Sequence, residues 1–137
     1  MKHKSSGVTL IELIIVIIVV GILAAIAIPG YRQYVLRSHR AEGKTALLNI
    51  AAAQEKFYLQ NNTYATNAQL TTAPPAGLGF GTTTKNGWYT LSITGGDATG
   101  FTATATASGG QAADSTCATM TVNQAGVRTA TTASCWP

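Results

Sequence analysis

Glu12 is the residue whose position most needs a chemical explanation. It is the one charged side chain in the 21-residue stretch Val8–Ile28, where only Thr9 is otherwise polar. A charge at the centre of a membrane helix costs about 2.5–3.5 kcal/mol, and less near an end. A carboxylate kept there needs a positive partner. A helix start supplies part of one, because its first N–H groups are unsatisfied and carry partial positive charge. Removing either partner of a dry ion pair is costly, so such a pair can fix the stagger between neighbouring helices.

The two cysteines, Cys117 and Cys135, come next. In a translocated domain they form one disulfide, and closing a loop of that size is worth about 3 kcal/mol in the chain-entropy account. Two buried free thiols are the other reading. A metal site is not expected: His3 and His39 lie far from the cysteines, and no C-x-x-C spacing exists. Catalysis is not expected either. No histidine follows His39, and beyond Glu55 the acids are Asp97 and Asp114, each isolated in a loop. Gly77, Gly79 and Gly81 lack the Lys-Ser/Thr of a phosphate-binding loop. The chain is therefore read as no enzyme and as carrying no cofactor.

These residues need elements to hold them. Val8–Ile28 is long enough, at about 1.5 Å per residue, to cross one hydrocarbon core as a helix. Basic residues flank it on both sides, Lys2, His3 and Lys4 before and Arg32, Arg37, Arg40 and Lys44 after, so charge alone leaves its orientation open. Without Lys2 and Lys4 the net charge falls from +4 to +2, too little for a strong nucleic-acid case. Pro29-Gly30 is expected to interrupt the helix. Helix formers resume from Tyr31 to about Gln60. Leu48, Ala52 and Leu59 mark the expected docking stripe, flanked by Leu47, Ile50, Ala51 and Tyr58. Residues 71–87 read as loop. Alternation then predicts strands at 88–94, 101–107, 119–123 and 127–131, with Tyr89, Leu91, Ile93, Met120 and Val122 inward and threonines outward. Short turns imply antiparallel pairing.

A short basic leader ending in Gly7, then Val8-Thr9-Leu10-Ile11-Glu12 and a long apolar helix, resembles the class III signal of type IV pilins. The resemblance implies the pilin α+β fold: a long N-terminal helix on a four-stranded antiparallel sheet, with a C-terminal disulfide loop between Cys117 and Cys135. It implies a leader at 1–7, a membrane and assembly helix at 8–28, an amphipathic half at 29–60 and a head at 61–137. A prepilin peptidase would cut between Gly7 and Val8, the Val8 amine would be methylated, and Glu12 would pair with the amine of a neighbouring subunit. Val8 departs from the usual Phe, so aromatic contacts at that position are absent. The Gly21 to Pro29 segment matches the place where pilins lose helical structure in the filament; a simple kink is the plainer reading. The implied partners are other pilin subunits, the inner membrane and the pilus assembly platform, and the implied destination is the extracellular pilus.

The tail Ser134-Cys135-Trp136-Pro137, with Gln54-Glu55-Lys56-Phe57-Tyr58, resembles the minor pilins related to PilE and ComP. ComP-like pilins bind DNA through basic head residues. Here Lys85 and Arg128 are the candidates, with Lys56 as an additional cation and Trp88 or Trp136 as stacking platforms; a phosphate-tracking groove usually has more cations. Three further readings compete. They are a secretory signal cut after Ala27, a plain membrane anchor, and a type II secretion pseudopilin, whose commonest form has a calcium loop and no such disulfide. Against the first, the apolar run is long and Glu12 would damage a signal core; the second leaves Gly7 and Glu12 unexplained. Motility, adhesion and DNA uptake belong to a whole filament, and this sequence does not choose among them.

Overall fold

The structure is a computed structural model and describes residues 7–136. The chain divides into two compact units, Met1–Val35 and Leu36–Pro137. One helix, α1 (Leu10–Asn61), contributes to both.

Within the first unit α1 is apolar all round from Leu13 to Ile28. Its most apolar 18-residue window has a mean hydropathy of 3.2 and buries nothing. It is one helix long and apolar enough to cross a membrane. The interruption expected at Pro29-Gly30 is absent: α1 continues through both residues. Proline removes one N–H and so one rung of the ladder, while the rungs on either side remain. In the isolated chain this is enough to carry the helix across.

In the second unit α1 packs on a sheet. The stripe it buries is Gly43, Leu47, Ile50, Gln54 and Phe57. This corrects the expected stripe: Leu48, Ala52 and Leu59 are all exposed, Leu59 at 83%. The true stripe has the i, i+4, i+7 spacing of a packed helix face, but a glycine and a glutamine occupy two of its five places. Gly43 is there because the sheet comes close. A Cβ at that position would lie 2.8 Å from Met120 Cε and 3.0 Å from the Tyr89 ring. Gln54 is fully buried, and its amide bonds both backbone groups of Ala65, at 2.8 Å and 2.7 Å. The helix ends at Asn62, whose φ of 55° places it in the left-handed region and whose N–H bonds Tyr58 O.

Four strands follow: β1 (Tyr89–Gly95), β2 (Phe101–Ala107), β3 (Thr119–Asn123) and β4 (Arg128–Ala130). They lie in the order β1-β2-β3-β4, each antiparallel to the next. Tyr89, Leu91 and Ile93, Phe101, Ala103 and Ala105, and Met120 and Val122 face α1 as the core. The small alanines of β2 make room for the helix. Residues between α1 and β1 cover the free side of β1. Thr83 pairs with Thr90, Leu91 N–H donates to Thr82 O, and Ile93 N–H donates to Asn67 Oδ1. At the other edge the Trp136 indole donates to Thr129 O at 2.9 Å. The β1 edge is thus paired, and the β4 edge, three residues long, has one of its carbonyls taken, both of which limit open-ended pairing. Cys117 and Cys135 are fully buried and joined as a disulfide.

Candidate functional site

The start of α1 is a built N-terminus. Thr9 Oγ1 accepts the Glu12 N–H at 3.3 Å, and Leu13 N–H reaches Thr9 O at 3.2 Å. Thr9 is therefore the N-cap and Glu12 the third helical residue, the positions of a capping box. The carboxylate stands in the first turn, exposed, where the helix field favours negative charge. Gly7 and Val8 precede the helix without regular structure; Val8 is 74% exposed, and a side chain at Gly7 would meet nothing within 4 Å. Both residues are exposed among the described residues. Residues 1–6, with Lys2, His3 and Lys4 of the expected leader, lie outside the described residues. Gly21 likewise has open space around it, within the helix.

The head carries its charges differently from the sequence expectation. Asp114 is no isolated loop acid. It is 2% exposed and grips Arg40 in a two-pronged ion pair, Nε to Oδ2 at 2.6 Å and Nη2 to Oδ1 at 2.7 Å. It also caps a short turn by accepting the Cys117 N–H, and it accepts from Gln111 Nε2 at 2.8 Å. Burial alone would raise the Asp114 carboxyl. The Arg40 hydrogen bond and charge, with the Cys117 and Gln111 donors, more than offset this and hold it below the usual carboxylate value. Gln111, fully buried, links this pair to His39, to Leu36 O and to the Tyr89 hydroxyl. Burial pushes the Tyr89 hydroxyl up. The network ties the disulfide loop to α1. Its one local sign in the sequence is Asp114 three residues before Cys117, an N-cap spacing. The partner Arg40 is 74 residues away, and no spacing rule reaches that far.

Lys85 and Arg128 are not brought together. Lys85 follows Thr84 on the free side of β1, whereas Arg128 stands on β4. The segment before Lys85 pairs outside β1, so four strand spacings, about 19 Å, separate it from β4. Arg128 sits over the Trp136 ring, 5.3 Å from its centroid, a cation–π contact. Trp88 stacks on His39 with ring centroids 4.0 Å apart. One face of each tryptophan is thus already engaged. Beside Lys85 lies a cleft of about 680 Å³ lined by Glu42, Asn49, Phe80, Thr84 and Leu91 among others. Its rim is fastened by Glu42, which accepts the Asn86 N–H at 2.9 Å and the Asn86 amide at 2.7 Å. Burial would raise the Glu42 carboxyl, but these donors and Thr84 keep it below its ordinary value. Among the described residues no cluster of His, Cys, Asp or Glu could hold a metal ion.

An apolar helix with a capped, acid-bearing start, continuing into a helix-on-meander domain closed by a disulfide, defines a type IV pilin. A type IV pilin structure from Shewanella oneidensis shares this fold, with a TM-score of 0.52 and 24% identity over 74% of this chain and 98% of that one. Residues 2–28 match the prokaryotic N-terminal methylation motif. Residues 29–121 match the family described as type IV minor pilin ComP, DNA uptake sequence receptor, and the chain belongs to that family. It is 40% identical to the type IV major pilin PilA of Myxococcus xanthus over 57% of this chain and 36% of the relative. It is 35% identical to the major pilin PilE1 of Neisseria gonorrhoeae over 69% and 41%. Against the major fimbrial protein FimA of Dichelobacter nodosus it is 58% identical over 31% and 27%. The matches span roughly a quarter to two-fifths of these relatives' length.

Proposed function

We propose that this chain is a structural subunit of a type IV pilus, made as a precursor and polymerised from the inner membrane into an extracellular filament with other pilin subunits. A prepilin peptidase cuts between Gly7 and Val8, the Val8 amine is methylated, and Glu12 pairs with the Val8 amine of a neighbour. The observation that carries this reading is the exposed Gly7-Val8 bond immediately before a capped helix whose first turn holds Glu12. The bond is open to a protease, and the carboxylate is left for an intermolecular partner. Gly21 to Pro29 is the segment that gives way in the filament, where Pro29 has already removed one rung. The family description favours a minor pilin with a part in DNA uptake. The relatives named above are major pilins, and motility or adhesion through the filament accords equally with them.

DNA contact through Lys85 and Arg128 is the second reading, favoured by the family match. Their placement at opposite sheet edges argues for two separate phosphate contacts along one duplex over a single groove. Co-expression with a prepilin peptidase and its assembly platform tests the main proposal. Wild-type chain is expected to shorten by seven residues and to enter filaments. Gly7→Val should stay full length, and Glu12→Ala should be cut yet fail to assemble. Normal cutting of Gly7→Val, or normal filaments from Glu12→Ala, contradicts it.

A further inference from the structure

We propose that Tyr31, Arg32 and Tyr34 form a band that binds the phospholipid headgroup layer and sets the depth of α1 in the bilayer. The proposal rests on the membrane-anchored reading above. Tyr31 and Tyr34 are 70% and 71% exposed and lie three residues apart, on one face of the helix. Arg32 is exposed between them. The only ion pair among the described residues is Arg40–Asp114, so Arg40 is occupied and Arg32 is free. The band begins just beyond the apolar run. Tyrosine rings favour the headgroup level, and an arginine there pairs with lipid phosphate.

The spacing gives the band a consequence. Twenty residues of helix separate Ile11 from Tyr31, about 30 Å, which matches one hydrocarbon core. With Tyr31 held at one boundary, Gly21 lies at the midplane and Glu12 reaches the opposite boundary. Centring the apolar run Val8–Ile28 instead puts Ile18 at the midplane and draws Glu12 some three residues, about 4.5 Å, deeper. The band therefore keeps the Glu12 carboxylate at the headgroup layer, hydrated and ready for an incoming amine, without the cost of a buried charge.

Fluorescence quenching by brominated lipids tests this. Full-length Gly21→Trp, Tyr31→Trp and Tyr34→Trp chains go into phosphatidylethanolamine–phosphatidylglycerol vesicles. The wild-type chain, with Trp88 and Trp136, supplies the background. Gly21→Trp should be quenched most by lipids brominated near the chain ends, and the two tyrosine replacements by those brominated near the carbonyls. Replacing Tyr31, Arg32 and Tyr34 by serine in the Gly21→Trp chain should move the probe about 4.5 Å from the midplane, towards the leaflet that held the band. If no lipid quenches Gly21→Trp, the membrane reading fails and takes the band with it. If Gly21→Trp reports the midplane while Tyr31→Trp and Tyr34→Trp are quenched deep in the bilayer or by no lipid, or the triple replacement leaves the probe in place, the band alone is wrong.

Discussion

Arg40 looks, in the sequence, like one more cation beside a membrane segment. Folded, it is the partner of the most buried acid in the head, and this exchange of roles has measurable consequences. Arg40→Met would leave Asp114 charged, buried and unpaired, a loss expected to reach about 3–5 kcal/mol. Chemical denaturation of the wild-type and variant Leu36–Pro137 unit checks this; a loss below about 1 kcal/mol, the range of an exposed pair, would contradict the buried pairing. The pH dependence follows from the same geometry. The Asp114 carboxyl lies below its ordinary value when folded, so its contribution is complete above the unfolded value of about 3.9 and is lost as pH falls through the folded one. Acid melts of the wild-type head should therefore steepen below about pH 4, and Asp114→Asn should flatten that part of the curve. Gly43 makes a further residue-scale case. A methyl group there meets Met120 and Tyr89 at sub-contact distance, and overpacking of this kind costs about 1–3 kcal/mol. Gly43→Ala should lower the melting temperature where an exposed helical glycine would raise it.

At the scale of elements, the strands were readable because β patterning is local. Tyr89, Leu91 and Ile93 alternate with polar residues, and so do the alanines and threonines of β2; all pack as the alternation implies. The packed face of α1 was readable only in part: Leu47 and Ile50, expected as flanks, are at its centre. Leu48 and Leu59 are apolar yet exposed, while Gly43 and Gln54 are on the buried stripe. A glycine signals close approach only once the approaching sheet is known, and a glutamine joins the core only because Ala65 arrives to satisfy it. Leu47→Ala should cost about 2–5 kcal/mol, as for a buried leucine, and Leu48→Ala well under half as much. Equal losses in thermal melts of the two variants would return the stripe to its sequence-based position. Pro29 likewise misled as a breaker, because α1 runs through Pro29-Gly30 with the rungs on either side of the lost one still in place. The disulfide was legible from compartment and count, whereas the Arg40–Asp114–Gln111 network depends on chain separations that no local pattern encodes. Replacing both cysteines with serine should remove about 3 kcal/mol from the head, seen as an earlier melt that reducing agent no longer changes.

For the whole molecule, the type IV pilin assignment joins two kinds of structure with separate demands. The most apolar 18-residue window of the N-terminal unit is uncovered, a condition that lipid or neighbouring helices must satisfy. The second unit, in contrast, completes its own core and buries the one ion pair found among the described residues. In the proposed life cycle the helix exchanges lipid for copies of itself, and Glu12 exchanges the membrane boundary for the amine of a neighbour. The most direct test is the intact mass of this chain in filaments sheared from the cell surface. The account predicts a mass beginning at methylated Val8, with the Cys117–Cys135 bond closed. A chain absent from filaments and recovered from membranes with Met1 retained, or cut after Ala27, would contradict it.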